Sequence, residues 1–192
     1  EELKAQGVTF PVEMDYYILA GSQSAQDTAT VLKQAVSECL GDDFVKLNIG
    51  TFVSSTTKEV VEPRLQSFII NGWGADYGDP QNYLGQETYG EDTAYYSQNY
   101  SHINEVKDEK LIATYKEFTD LVNKANSISD DMDKRYQAYV DAEVFMLQHA
   151  LSVPVVYDVS WQLTKVNDYT RSNAMFGIQN YMYKNWDTSV EA

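Results

Sequence analysis

Apolar and polar residues alternate at Val12, Met14, Tyr16 and Ile18, and again at Val45, Leu47 and Ile49, a period of two that predicts two strands. Between them Gly21-Ser22-Gln23-Ser24 supplies a turn and a Ser N-cap, after which Val31, Leu32, Ala35, Val36, Cys39 and Leu40 recur at helical spacing up to Gly41. That spacing predicts a helix with this stripe facing the core and Gly41 as its C-terminal stop. Ser54-Ser55-Thr56-Thr57 predicts the cap of a short helix around Lys58 to Gln66, with Pro63 marking a break or first turn. The apolar run that opens with Phe68-Ile69-Ile70 predicts a third strand, Phe68 to Trp73. Strands and helices in alternation, joined by short links, predict an α/β architecture of βαβ units with right-handed crossovers in a mainly parallel sheet.

The second half of the chain changes character. Residues Gln81 to Ser101 are polar and rich in tyrosine, which predicts a long surface loop with short helical turns. Val106, Leu111, Ile112, Tyr115, Phe118, Leu121 and Val122 predict a helix over Glu105 to Ala125, and Ser127-Ile128-Ser129-Asp130 caps another from Met132 to about Ala150. Val153 to Val159 predicts a strand, and Trp161 to Val166 another at an edge or antiparallel. The tail from Asn173 to Ala192 has no firm pattern. No internal repeat divides the chain.

Composition narrows the function classes. A chain of 192 residues with 43% hydrophobic residues is long enough to bury a sizeable core as one domain. Fourteen basic against 29 acidic residues leave a net charge of −15, which excludes nucleic acid, whose phosphates need clustered Lys and Arg. The same charge disfavours acidic membrane surfaces. No apolar run reaches the roughly 18 residues a membrane span requires, and Glu1-Glu2-Leu3-Lys4 lacks the character of a signal segment. Cys39 is the single cysteine, so no internal disulfide forms; its place on the predicted stripe makes it a small buried residue.

The most informative stretch is Asn71-Gly72-Trp73-Gly74-Ala75-Asp76-Tyr77-Gly78-Asp79-Pro80, just past the predicted third strand. Glycines allow close approach to a backbone, Asp-Pro ends regular structure, and a carboxylate beside an indole suits a cationic group. Parallel sheets bind ligands beyond the carboxyl ends of their strands, which is where this segment sits. On the residues alone, an Asp between Gly and Pro more commonly forms an Asx-turn, so both roles stay open for Asp76, while Asp79, just before Pro80, is expected to form a turn.

The stretch Trp73 to Pro80, with Tyr83-Leu84 after it, resembles the dipeptide/oligopeptide-binding class of ABC-transporter substrate-binding proteins. The resemblance continues at Ile128 to Tyr139 and at His149 to Leu163, where Val153-Pro154-Val155-Val156-Tyr157 is similar to the strand that follows the long helices in that class. Ser160 to Val166 and Gly177 to Tyr181 resemble the Gram-positive lipoprotein branch. The resemblance implies a periplasmic-binding-protein-like lobe over 1–192, the second of two, with residues 173–192 leading back toward a first lobe. It further implies an oligopeptide ligand, ABC permease subunits as partners, no cofactor or metal, no enzymatic activity, and an exported, lipid-anchored protein at the cell surface.

For the site, the resemblance implies that Gly72, Trp73 and Gly74 pair with an extended peptide through main-chain hydrogen bonds, which ignore side-chain identity. Asp76, flanked by Tyr77, would hold the α-ammonium of the ligand. Tyr157 and Asp158 lie on the strand that faces the cleft, and only one of the two points into it. The chain departs from its relatives at Val156-Tyr157-Asp158, where many carry a run of tyrosines. It departs again at Ile70, where some that clamp short peptides place a basic residue. Two rivals remain: a hydrolase using Asp76 and Asp79 as paired acid and base, and a relative of the same superfamily carrying a sugar, a metal chelate or a pheromone.

Other motifs carry little. Gly72-x-Gly74-x-x-x-Gly78 misses the dinucleotide spacing and leads into Pro80. His102 and Glu105 lack zinc spacing, His149 lies on an apolar helix face, and Asp130-Asp131-Met132-Asp133 lacks the glycine and terminal Glu of a calcium loop. No catalytic Ser-His-Asp or Cys-His set can be assembled.

Overall fold

The computed structural model describes residues 2–157, 159, 165–167, 176 and 186–188. The chain divides into two compact units, Glu1–Asn71 and Gly72–Ala192. It is a mixed helix-and-strand structure with one small parallel sheet among the described residues.

In the first unit, a short helix α1 (Glu2–Ala5) precedes strand β1 (Val12–Leu19), helix α2 (Gln23–Leu40) and strand β2 (Val45–Phe52). The two strands pair in parallel from Val12 opposite Val45 to Leu19 opposite Phe52. The alternation read from the sequence sets the face: Met14, Tyr16, Ile18, Leu47 and Ile49 point to one side and pack there with Ala25, Ala29, Leu32 and Val36 of α2. The expected caps of α2 are both present. The Ser22 hydroxyl accepts from the Ala25 N–H at 3.3 Å, and Gly41, at φ 83, closes the helix with its N–H on the Ser37 carbonyl.

The predicted stripe of α2 is corrected. Val31, Leu40 and Cys39 are exposed, and the buried line is Ala25, Ala29, Leu32 and Val36. Alanine at 25 and 29 lets the helix backbone approach the sheet, with Leu32 and Val36 of the expected stripe packing beside them, while Val31, Ala35, Cys39 and Leu40 turn outward.

The third strand is also corrected: Phe68 to Trp73 forms no ladder. Ser67 exchanges one pair of bonds with β1, its N–H on the Asp15 carbonyl at 2.8 Å and its hydroxyl accepting from the Asp15 N–H at 2.9 Å. The side-chain oxygen takes the donor a strand would have paired with backbone, and the ladder stops there. Phe68 still reaches the core, stacked on Tyr16 at 5.1 Å.

After β2 the chain makes a single π-helical turn, Thr57–Val61, in place of the longer helix expected to Gln66. The Ser55 hydroxyl caps it by accepting from the Lys58 N–H. The Glu59 carboxylate closes the loop by accepting from the N–H groups of Val53, Ser54 and Ser55 at 2.8–2.9 Å. Those backbone donors hold its pKa down to about 2.

The second unit is mostly helical. Helices α3 (Gln81–Leu84) and α4 (Tyr95–Asn99), with 3₁₀ turns at Gly85–Glu87 and Ile103–Glu105, occupy the segment expected as surface loop. It is instead well packed: Asn82, Leu84, Gln86, Thr88, Ala94 and Ser97 are buried. Helices α5 (Glu109–Ser127) and α6 (Met132–Gln148) match the two expected long helices, N-capped by Asp108 and Asp131. Phe118, Val122 and Ala125 of α5 meet Tyr139, Ala142 and Met146 of α6 around Leu84 of α3. The strand expected over Val153 to Val159 does not form among the described residues; Val155, Val156 and Tyr157 are largely exposed. Without a ladder partner, an apolar β-branched run has nothing to fix it as a strand. The element expected at Trp161 to Val166 lies largely outside the described residues. No helix among the described residues is long and apolar enough to cross a membrane.

Candidate functional site

The segment Trp73 to Pro80 hangs on one buried side chain. Asn82, on α3, turns its Oδ1 toward the segment and accepts from the Trp73 indole N–H and from the Asp76 backbone N–H, both at 2.9 Å. Gln86, one turn further, donates to the Asn82 carbonyl. The indole and the Asp76 backbone are thus joined through one oxygen atom.

Asp79 fixes the far end. Its Oδ1 accepts from the Gln81 N–H at 2.9 Å, an Asx-turn that starts α3. Asp79-Pro80 therefore opens regular structure here, where the sequence suggested an ending. The same carboxylate takes the Arg135 guanidinium through Nε and Nη2 at 3.0–3.3 Å, and the Tyr139 hydroxyl at 3.0 Å. Arg135 Nη1 closes the C-terminal end of α5 by donating to the carbonyls of Ala125, Asn126 and Ile128. Burial pushes the Asp79 carboxyl upward, but the Gln81 N–H, the Tyr139 hydroxyl and Arg135 together outweigh it and leave it below the usual range. The Tyr139 hydroxyl is pushed well up by burial and by the Asp79 charge.

The Asx-turn belongs to Asp79. The Asp76 carboxylate is exposed and has no hydrogen-bond or ion-pair partner among the described residues. With Asp79 held in an ion pair, the paired acid–base arrangement has lost its second member.

The remaining expected residues are placed as follows. Gly72 and Gly74 lie exposed, neither has positive φ, and a Cβ on either would meet no described atom within 4 Å. Nothing in the described structure therefore demands glycine at these two positions; the space beside them is open. Trp73 is half-buried, and Tyr77 is exposed with its hydroxyl on the Gln81 side chain. Tyr157 is exposed and belongs to no strand; Asp158 lies outside the described residues.

Sequence reading missed a second group around this segment. The Tyr96 hydroxyl donates to the Gly72 carbonyl at 2.6 Å. Trp73, Tyr95, Tyr96 and Tyr100 pack their rings at centroid distances of 5.4–6.2 Å. Glu87 is half-buried near Tyr96 and Tyr115, and desolvation raises its pKa to about 7 against one opposing bond from Ser152. The tyrosine density of residues 83–100 was the available signal, but it was read as solvent-facing. No group of residues suited to a metal ion occurs among the described residues.

No protein-family model matches the chain. Curated relatives do. The chain is 25% identical over 163 residues to oligopeptide-binding protein AliB of Streptococcus pneumoniae, covering 81% of this chain and 24% of that protein. It is 27% identical over 184 residues to oligopeptide-binding protein SarA of Streptococcus gordonii, covering 91% of this chain and 27% of that protein. A third, oligopeptide-binding protein AmiA of Streptococcus pneumoniae, is 25% identical over 187 residues, covering 91% and 28%. The chain spans about a quarter of the length of these relatives. The resemblance carried by Trp73 to Pro80 thus extends over most of the sequence, and what the chain is similar to is a set of streptococcal oligopeptide-binding proteins.

Proposed function

We propose that the chain is the second lobe of the peptide-binding receptor of an ABC oligopeptide importer. It would be exported, lipid-anchored, completed by a first lobe and served by permease subunits. In this reading an extended peptide pairs with the backbone at Gly72 to Gly74, and Asp76 receives its α-ammonium. The similarity to several oligopeptide-binding proteins supports the ligand class.

One observation carries the site: the Asp76 carboxylate is exposed and unpartnered among the described residues, while its backbone is pinned from behind by Asn82. A carboxylate left without a cation, on a residue whose backbone amide is fixed, is free to take one that arrives with the ligand. The open space beside Gly72 and Gly74 leaves room for a peptide backbone to approach. Because such receptors close two lobes over the ligand, this chain alone binds weakly.

The test is a titration of the isotope-labelled chain with a pentapeptide, free and N-acetylated, read by amide and indole NMR shifts at Trp73 to Tyr77. The free peptide is expected to shift these signals and the acetylated one not. Asp76→Asn should weaken binding by tens- to thousands-fold, the equivalent of losing roughly 2–5 kcal/mol from one closed-in charge pair. Equal shifts with both peptides would remove the α-ammonium role while leaving peptide binding. Indifference to both, with shifts from a sugar or a metal chelate, would move the chain to the other cargo class.

A further inference from the structure

The four rings beside Gly72 do not all have the same work. Tyr96 is committed to the Gly72 carbonyl, and the Trp73 indole N–H is committed to Asn82. Tyr95 has no such duty toward the backbone of the segment. Its ring touches Trp73, Tyr96 and Tyr100 at centroid distances of 5.8–6.2 Å, and it is still 48% exposed. An aromatic surface braced on three others loses little conformational entropy when a ligand covers it.

Its place is fixed relative to Asp76. The Asp76 N–H and the Trp73 indole N–H meet on the same Asn82 oxygen, so the carboxylate-bearing residue and the indole edge lie within two hydrogen-bond lengths of each other. Trp73 in turn abuts Tyr95. In a peptide, the first side chain leaves the same carbon that carries the α-ammonium.

We propose, resting on the reading of Asp76 as the ammonium receptor, that Trp73 and Tyr95 form an aromatic platform for the first side chain of the peptide. It selects aromatic and long aliphatic first residues over small ones, with Tyr95 as the specificity-determining side chain. An acidic first residue is repelled by the Asp76 charge that holds the α-ammonium.

The experiment is calorimetry of the whole chain with Phe-Ala-Ala-Ala-Ala and Ala-Ala-Ala-Ala-Ala, on the unaltered protein, Tyr95→Ala and Tyr95→Phe. The Phe-first peptide is expected to bind ~2- to 12-fold tighter to the unaltered chain, the range that one aromatic pair supplies. Tyr95→Ala should bring the ratio to about one, and Tyr95→Phe should keep the ratio. The proposal is overturned if Tyr95→Ala leaves the preference intact, or if both peptides bind the unaltered chain equally. If N-acetylated Phe-Ala-Ala-Ala-Ala binds as tightly as the free peptide, the reading of Asp76 falls, and the platform with it. Tyr95→Phe keeps the ring and guards against a fold defect in the alanine variant.

Discussion

Asp76 and Asp79 stand three residues apart and have opposite fates, and the difference is decided by what lies behind each. Asp79 meets Arg135, Tyr139 and the Gln81 N–H, whereas among the described residues Asp76 meets only Asn82, and through its backbone. The turn at Asp79-Pro80 was legible, because Asx-turn chemistry is local. Its partner was not, since Arg135 is 56 positions away and no short pattern says which helix returns to the loop. One hint existed: Arg135 follows closely on the N-terminus of α6, where the helix dipole disfavours a cation and so calls for a compensating partner. Replacing Asp79 by Asn leaves a largely buried guanidinium short of its charge partner. Thermal or urea unfolding should show a loss of ~2–4 kcal/mol. Arg135→Met should cost a similar amount, and the double variant less than the sum of the two. Additive losses would mean that the pair is not coupled and that the network is misread.

At the scale of elements, the sequence supplied lengths better than phases. Helices α2, α5 and α6 and strands β1 and β2 were readable from period, and α2 from its caps as well, because these signals are local. The N-caps of α5 and α6 fall instead at Asp108 and Asp131, outside the residues the sequence offered as caps. The rotation of α2 was not, because the pattern weighs large apolar residues while packing against the sheet selects small ones at Ala25 and Ala29. Two substitutions test that rotation. Val31→Ala should leave stability within about 0.5 kcal/mol, whereas Ala29→Leu, at a position 2% exposed, should cost ~1–3 kcal/mol through overpacking. The reverse ranking in chemical unfolding would restore the predicted stripe. Strands failed at Phe68 to Trp73 and at Val153 to Val159 for one shared reason: a strand is defined by a neighbour, and composition does not name the neighbour.

For the whole molecule, acid–base behaviour follows from three carboxyls with different surroundings. Glu59 and Asp79 have depressed folded-state pKa values, so the stability they supply is present above the ordinary carboxylate range and is lost as pH falls, for Glu59 through about 2. Glu87 works the other way. Its pKa rises from 4.5 to about 7, so the folded state keeps a proton the unfolded state releases, and stability falls as pH rises between those values. Melting temperatures across that window should therefore decline, and Glu87→Gln should flatten the decline and melt higher than the unaltered chain above about pH 7. A decline that persists in Glu87→Gln would assign it to the general repulsion of a chain of charge −15. The resemblance to oligopeptide-binding proteins was legible because the Trp73 to Pro80 wording is specific. The aromatic cluster and the desolvated Glu87 were not, since both are assembled from residues whose local sequence is merely polar.

Asn82 has a consequence for which changes this chain can tolerate. One oxygen serves both the indole and the Asp76 amide, so a replacement there alters two contacts in a single step. Only aspartate offers an acceptor at the same reach, and it would set a negative charge behind Asp76. Position 82 is therefore narrower in its permitted alphabet than the residues it supports, although nothing in its own neighbourhood of the sequence marks it out.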